Sequence, residues 1–185
     1  MTKLVILDRD GVINQDSMEY IRSPEEWVAF PKSLEAIAAL KQKGYLIAIV
    51  TNQSGIARGF YDEPMLQAIH EKLLNQLQAL GATLDSIEYC RHMPDAGCSC
   101  RKPQPGMLTH TLHKLGCQPE DAVMIGDRIT DLLAASAANI ACRMILSPMT
   151  DRKALKTFGE VPLYTSLHAC AQDLIAAVDT PLTSV

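Results

Sequence analysis

Residues 4–11 of the chain are LVILDRDG, four apolar side chains followed at once by two aspartates with an arginine between them. A short apolar run without alternation is typical of a strand that is buried on both faces, as in a parallel sheet. Four further runs of this kind lie at 45–50, 86–90, 122–125 and 141–146. The sequence therefore predicts an α/β fold with a doubly wound, mainly parallel, Rossmann-like sheet.

Amphipathic stretches between these runs predict the helices that connect the strands. The clearest is 62–80, where Asp62 is a suitable N-cap and Pro64 lies in the first turn. Shorter apolar stripes predict further helices at 34–40, 107–115, 129–137 and 166–178. Because no repeat or linker divides this pattern, we expect a single domain over 1–185, with a flexible tail at 180–185.

The composition argues against several classes of protein. With 185 residues, of which 48% are hydrophobic and 21% charged, the chain has ordinary globular usage. Its formal net charge of -4 provides no general basic field for nucleic acid or an anionic membrane. The longest clean apolar run, 46–50, is far shorter than the roughly 20 residues of a membrane helix, and the N-terminus has no signal-peptide core. We therefore expect a cytoplasmic protein with reduced thiols.

The polar residues that directly follow the predicted strands indicate where a site would form, because ligands of open parallel sheets bind beyond the carboxyl ends of the strands. Asp8 and Asp10 follow the first strand, and Asp127 follows the fourth. Three carboxylates that meet without a cation would repel one another, whereas Mg²⁺ prefers such oxygen ligands. Each aspartate alone could equally be a helix cap or a turn residue. The set of three favours a magnesium site.

The spacing of the two acids suits phosphoryl transfer. Asp8 and Asp10 are two residues apart in an extended segment, so both side chains can point into one site. Asp8 can then attack phosphorus, while Asp10 protonates the leaving alkoxide and later deprotonates water. Thr51, the amides that follow it and Lys102, in a Pro-rich turn, are suitable donors to the phosphoryl oxygens.

The sequence resembles the haloacid dehalogenase-like phosphatases in four motifs, which occur in the family's order across residues 4–146: DRDG at 8–11, Thr51-Asn52, Lys102, and Gly126-Asp127 with Asp131. The resemblance implies the family's fold, with Asp8 as the phosphorylated nucleophile and Asp10 as acid and base. It implies that Thr51 and Lys102 hold the phosphoryl group. It also implies a Mg²⁺ site formed by Asp8, Asp127 and the backbone carbonyl of Asp10.

Four longer phrases resemble one branch of this family, the phosphatases that remove the 7-phosphate of D-glycero-D-manno-heptose 1,7-bisphosphate in lipopolysaccharide core precursor synthesis: LDRDGVIN at 7–14, VTNQSGIARG at 50–59, CRKPQPGM at 100–107 and MIGD at 124–127. Histidinol-phosphate phosphatases are near relatives, so histidinol phosphate or another small sugar phosphate stays the alternative substrate. The chain departs from the usual family pattern at Val12, where Thr is usual, and at Arg128, where Lys is usual.

The expected partner is a small phosphorylated sugar bound by a monomer, with no nucleic acid and no membrane. The resemblance implies substrate contacts from the loop after the nucleophile and from Arg101, in the turn before Lys102. The residues directly after Thr51 and Arg128, which follows the fourth strand, complete the predicted set. The substrate-binding residues that we predict are Asp16, Ser17, Tyr20, Asn52, Gln53, Ser54, Arg101 and Arg128. The two arginines are suited to a second anionic group.

A second group of candidate ligands, Cys90, His92, Cys98 and Cys100, lies within eleven residues. Three thiolates and an imidazole suit tetrahedral Zn²⁺ with no open position. One residue separates the members of each pair, unlike the two to four of ordinary zinc fingers, so spacing alone leaves a metal-free interpretation open. The branch resemblance includes a zinc loop. It implies that residues 90–100 bind zinc, order the turn before Lys102 and take the place of a large cap domain.

Two other functions fit parts of the pattern. A phospho-accepting receiver module would place its acceptor after the third strand, where this chain has Tyr89-Cys90. A zinc-stabilised interaction domain would keep the acids only as relics, and turnover of an aryl phosphate with and without Mg²⁺ would separate it from an enzyme. The remaining cysteines and helical histidines have no partner set in the sequence, and we expect them to be structural: Cys117, Cys142, Cys170, His70, His110, His113 and His168.

Overall fold

A six-stranded, entirely parallel sheet forms the centre of the computed structural model, which describes residues 3–179. Its strands are β1 (Leu4–Leu7), β2 (Leu46–Asn52), β3 (Ser86–Cys90), β4 (Ala122–Gly126), β5 (Ala141–Ile145) and β6 (Leu163–Tyr164). They lie in the order β3-β2-β1-β4-β5-β6, so the chain builds outward from β1 first on one side and then on the other. The predicted doubly wound α/β fold is confirmed.

Helices cover both faces of the sheet. They are α1 (Ser33–Gln42), α2 (Glu63–Ala79), α3 (Gly106–Leu115), α4 (Ile129–Ala137), α5 (Arg152–Leu155) and α6 (Leu167–Asp179), and 3-10 turns lie at Pro119–Asp121 and Lys156–Phe158. The start of α2 follows from its sequence, because the Asp62 carboxylate accepts a hydrogen bond from the backbone N–H of Met65 at 2.9 Å. The four other helices that apolar stripes predicted correspond to α1, α3, α4 and α6.

The two faces of β1 bury different clusters, which explains its unbroken apolar sequence. Val5 and Leu7 pack with residues of α1, α2 and α6, whereas Leu4 and Ile6 pack with residues of α3 and α4. All four side chains are 0% exposed. Full burial of one aliphatic side chain contributes about 1.5–3 kcal/mol, so β1 is a strongly held platform for the residues that follow it.

The structure adds elements that the sequence pattern did not predict. The edge strand β6 has only two residues, and Leu163 and Tyr164 pair with Met144 and Ile145 of β5. Strand β2 extends through Asn52, beyond the predicted end at 50, so Thr51 lies in the strand itself. The predicted tail at 180–185 lies outside the described residues. Across residues 3–179, no helix combines the length and apolarity that crossing a membrane requires.

Candidate active site

The carboxyl ends of the central strands border a cleft of about 1170 Å³. Twelve of the residues that the sequence assigned to catalysis or substrate binding line it: Asp8, Asp10, Asp16, Ser17, Tyr20, Thr51, Asn52, Gln53, Ser54, Arg101, Lys102 and Arg128. Asp127 is 0% exposed and lies behind the cleft wall, near Asp8. The strand order therefore gathers residues that are far apart in the sequence.

Lys102 is a buried cation held by two carboxylates. Its Nζ lies 3.0 Å from Asp8 Oδ1 and 2.7 Å from Asp131 Oδ1. It also donates to the backbone carbonyl of Val50 at 2.9 Å. Burial lowers the pKa of Lys102, but the negative charges of Asp131 and Asp8 outweigh this effect and raise the pKa above its usual value. Lys102 therefore stays protonated directly beside Asp8.

The carboxylates of Asp8, Asp127 and Asp131 each offer an oxygen within 4.8 Å of the others. Burial raises the pKa of Asp8 well above its usual range, against the opposing charge of Lys102, and the neighbouring acids raise it further. Burial and the charge of Asp131 raise the pKa of Asp127 to about 7, although a hydrogen bond from Ser147 acts in the opposite direction. A divalent cation would relieve this repulsion.

The three carboxylates are not equivalent as ligands. Asp127 Oδ2 accepts a hydrogen bond from Ser147 Oγ at 2.6 Å, but Asp127 Oδ1 is buried without a hydrogen-bond partner. Asp131 differs because its Oδ1, although it accepts no hydrogen bond, lies in an ion pair 2.7 Å from Lys102 Nζ, while its Oδ2 accepts hydrogen bonds from the backbone N–H groups of Asp127 and Arg128. The orphaned oxygen of Asp127 beside Asp8 fits a hard cation such as Mg²⁺. Asp131 instead anchors Lys102 and the start of α4.

The loop after β1 reaches this cluster only because Gly11 has no side chain. Its φ is +85°, and a Cβ built there would lie 2.3 Å from Asp127 Oδ2. Both the positive φ and this close approach require glycine. The Gly in the DRDG motif therefore allows the β1 loop to pack directly against the carboxylate that follows β4.

Asp10 is surrounded by hydrogen-bond donors. Asn14 Nδ2 donates to Oδ1 at 2.8 Å, and Gln53 Nε2 donates to Oδ2 at 3.0 Å. Arg9 donates to both oxygens through Nε and Nη2, each at 3.0 Å. Burial raises the pKa of Asp10, but the Arg9 charge and these hydrogen bonds outweigh it and lower the pKa below its usual value. The structure thus holds Asp10 in one orientation and, in the absence of substrate, favours its carboxylate form.

Two of the predicted substrate contacts have partners within the protein. Gln53 is 3% exposed, and its Nε2 also donates to Thr51 Oγ1 at 2.8 Å. The side chain of Asn52 forms two hydrogen bonds with the backbone of Lys102, at 3.0 and 3.1 Å. These amides hold site residues in position, a role that the sequence analysis did not assign to them.

The two arginines predicted to bind a second anion differ in their surroundings. Arg128 Nη2 donates to Asp16 Oδ2 at 2.5 Å, a contact that joins the β1 loop to the start of α4. Arg101 Nη1 donates to the backbone carbonyl of His92 at 3.3 Å. Part of the Arg128 charge is therefore already neutralised, whereas no described carboxylate pairs with Arg101.

The Cys and His side chains of the 90–100 loop converge as the sequence predicted. Cys90 Sγ lies 3.7 Å from Cys98 Sγ and 3.2 Å from Cys100 Sγ. His92 Nδ1 lies 3.5 Å from Cys90 Sγ and 3.3 Å from Cys100 Sγ. Tetrahedral zinc bonds of about 2.3 Å to sulfur and 2.1 Å to nitrogen place ligand atoms about 3.5–3.8 Å apart. The four donors therefore fit zinc, and the sulfurs are too far apart for disulfides.

Several residues of the site were missed by the sequence analysis. Arg9 is 0% exposed and holds Asp10, and Ser147 with Thr150 holds Asp127 from the loop after β5. His70 was expected to be structural, and its Nε2 lies 3.3 Å from Arg9 Nη1, a contact that the sequence did not indicate. The polar residues after the fifth strand and an arginine between two site acids were signals that could have identified part of this set.

The chain is similar to known proteins over most of its length. A family profile described as haloacid dehalogenase-like hydrolase matches residues 2–139. The D-glycero-beta-D-manno-heptose-1,7-bisphosphate 7-phosphatase of Pseudomonas aeruginosa is 46% identical over 157 residues, which cover 85% of this chain and 86% of that protein. The protein of the same name from Bordetella bronchiseptica is 47% identical over 139 residues, 75% of this chain and 78% of that protein.

Solved structures give a consistent result. The crystal structure of D,D-heptose 1,7-bisphosphate phosphatase from B. bronchiseptica, complexed with magnesium and phosphate, superposes with a TM-score of 0.89 at 41% identity. The superposition covers 95% of this chain and 99% of that one. The predicted family resemblance is confirmed by matches that span the sheet and the cleft alike. The chain belongs to the haloacid dehalogenase-like hydrolases.

Proposed function

We propose that this chain is a Mg²⁺-dependent phosphatase that removes the 7-phosphate of D-glycero-D-manno-heptose 1,7-bisphosphate through an aspartyl-phosphate. The observation that carries the proposal is the placement of Asp8 in the cleft, 3.0 Å from the buried ammonium of Lys102 and beside the unpartnered Asp127 oxygen. The names of the relatives from P. aeruginosa and B. bronchiseptica support this choice of substrate.

In the proposed reaction, a carboxylate oxygen of Asp8 attacks phosphorus and the bond from phosphorus to the sugar oxygen breaks. Lys102 and the hydroxyl of Thr51 hold the phosphoryl oxygens in the same end of the cleft. Asp10, which must take up a proton before the bond breaks, gives this proton to the leaving sugar oxygen. It then takes a proton from the water that attacks phosphorus and releases phosphate, which regenerates the Asp8 carboxylate.

The residues of the acid cluster suit a bound cation. Asp8 and Asp127, with the backbone carbonyl of Asp10, would hold Mg²⁺. When bound, Mg²⁺ supplies positive charge against the charge that develops on the transferring phosphoryl oxygens. The B. bronchiseptica structure, which contains magnesium and phosphate, supports this assignment. Cys90, His92, Cys98 and Cys100 would hold a separate, structural Zn²⁺ whose role is to order the loop before Lys102.

The wider setting is also part of the proposal. The chain would act as a single phosphatase domain and as a monomer in the cytoplasm, in the synthesis of lipopolysaccharide core precursors. Within residues 3–179, the loop after β1 and the 90–100 loop contribute to the rim of the cleft and no large cap covers it, which supports a small polar substrate.

A substrate panel tests the proposed function. We expect the heptose 1,7-bisphosphate to have the highest kcat/KM, with both anomers compared against histidinol phosphate and sugar monophosphates at saturating Mg²⁺. Release of inorganic phosphate measures turnover, and omission of Mg²⁺ with added EDTA should abolish it. A preference for histidinol phosphate would move the assignment to that alternative, and no turnover of any ester would overturn the proposal.

Arg101→Ala should reduce the preference for a bisphosphate. Loss of a charge-assisted hydrogen bond to the distant phosphate should lower kcat/KM about tenfold more for the bisphosphate than for a small monophosphate ester. Arg128→Ala should act similarly or less, because Arg128 is already paired with Asp16. Arg152→Ala, on the exposed face of α5, is the control. Equal losses on both esters in Arg101→Ala would contradict this role.

A further inference from the structure

A chain of buried polar contacts leads from Asp10 away from the cleft. The Arg9 guanidinium forms a fork on the Asp10 carboxylate, with one nitrogen on each oxygen at 3.0 Å. Its remaining terminal nitrogen, Nη1, faces His70 Nε2 at 3.3 Å. Arg9 is 0% exposed, so these contacts are shielded from bulk solvent. The orientation of the guanidinium therefore depends on the group that accepts a hydrogen bond from Nη1.

His70 is suited to be that acceptor. Burial, reinforced by the positive charge of Arg9, lowers the pKa of His70 to about 4, so the ring is neutral at pH 7 and Nε2 can accept a hydrogen bond. Helix α2 carries His70, and the Tyr89 ring of β3 packs edge-on against the imidazole, with ring centroids 6.3 Å apart. The acceptor is thus fixed from two elements of the fold.

We infer that Arg9 and His70 are positioning residues that hold the Asp10 carboxyl where it exchanges a proton with the leaving oxygen of the substrate. The inference rests on the proposed function, because it concerns the proton transfer of that same reaction. A bidentate guanidinium fixes the plane of a carboxylate, which a single point charge does not. Asn14 and Gln53 each contact only one oxygen of Asp10 and leave that plane less constrained.

Two substrates whose leaving groups differ in their need for a proton distinguish this positioning role from a purely structural one. With a sugar phosphate, the bond from phosphorus to oxygen breaks as Asp8 forms its new bond to phosphorus, and the alkoxide oxygen takes the Asp10 proton. With p-nitrophenyl phosphate, the same bonds form and break, but the phenolate departs as a stable anion without that proton. A misplaced Asp10 should therefore slow the sugar phosphate more than the aryl phosphate. General loss of folded protein would slow both equally.

The test compares His70→Leu, His70→Gln and Arg9→Lys with the unaltered chain on both esters. A positioned proton donor contributes about 100-fold or more, so we expect His70→Leu and Arg9→Lys to lose at least about tenfold more kcat on the sugar phosphate than on the aryl ester. His70→Gln, whose amide oxygen can accept from Arg9, should restore much of the difference. His113→Leu, an exposed histidine on α3, is the matched control.

A double-mutant cycle with Asp10→Asn tests the inference more strictly. In an Asp10→Asn background the proton carrier is absent, so adding His70→Leu should change the ratio of the two rates by less than about twofold. Two results would overturn the positioning role and leave the phosphatase assignment intact. One is an equal loss of rate on both esters in the single variants. The other is a His70→Leu effect on the ratio of the two rates that is as large in the Asp10→Asn background as in the unaltered chain. Failure of the unaltered chain to hydrolyse either ester would instead overturn the proposed function.

Discussion

Asp8→Asn is expected to lower kcat by at least about a hundredfold while the fold survives. Asn has nearly the same volume as Asp, but its amide oxygen is a far weaker nucleophile toward phosphorus. Lys102 keeps its contact of 2.7 Å to Asp131 in the variant, so a charged partner remains for the buried ammonium. Phosphate release from the heptose bisphosphate and from p-nitrophenyl phosphate should fall together, since both reactions need the nucleophile.

The control for this variant is Asp173→Asn, which removes an exposed carboxylate at the surface pair with Arg143. Such a pair contributes about 0–1 kcal/mol, so turnover should stay near that of the unaltered chain. A thermal melt distinguishes lost chemistry from lost folding in both variants. Near-normal turnover by a folded Asp8→Asn variant would rule out the covalent mechanism.

Loss of the proposed zinc from the 90–100 loop should have the second large effect. Cys98→Ser should release one zinc per chain, lower the Tm by more than about 5 °C and reduce kcat/KM at least about tenfold. The free energy of binding the proposed zinc would hold the loop together, and Cys100 lies directly before Arg101 and Lys102 in the sequence. A loosened loop would therefore misplace the ammonium that faces the nucleophile.

Elemental analysis, a thermal melt and phosphate release measure the three parts of this result. Cys117→Ser is the matched control, because Cys117 is a half-buried cysteine outside the four-ligand cluster. It should keep both zinc and activity. Protein purified without chelator that contains no zinc, or a Cys98→Ser variant that retains it, would contradict the assignment of this loop.

Local signals account for the parts of the fold that the sequence predicted. The strand at 4–7 is apolar on both faces because helices cover both sides of the sheet, and α2 begins where Asp62 caps it. Strand β6 escaped prediction because Leu163 and Tyr164 are too few to show a period. Its pairing with β5 is decided by tertiary contact alone.

The same distinction separates the predicted and the missed parts of the site. Asp8 and Asp127 could be predicted to meet, because parallel strands bring their carboxyl ends to one edge. The partners of Arg9 could not be predicted, because a sequence does not show which buried group accepts a hydrogen bond from each guanidinium nitrogen. The position of Arg9 between two site acids places it near the site, but no local pattern shows that it is buried between Asp10 and His70, because arginine is more often exposed than buried.

The place of β1 between β2 and β4 has a consequence for how the protein is made. Leu4 pairs with Leu46 on one side but with Ala122 on the other, so one edge of β1 lacks its partner until β4 has been synthesised. Such distant parallel pairing forms slowly, and an unpaired apolar edge can associate with other chains in the meantime. Nascent chains that stop short of β4 therefore carry Asp8 without Asp127, and they expose the edge of β1 that β4 later pairs with.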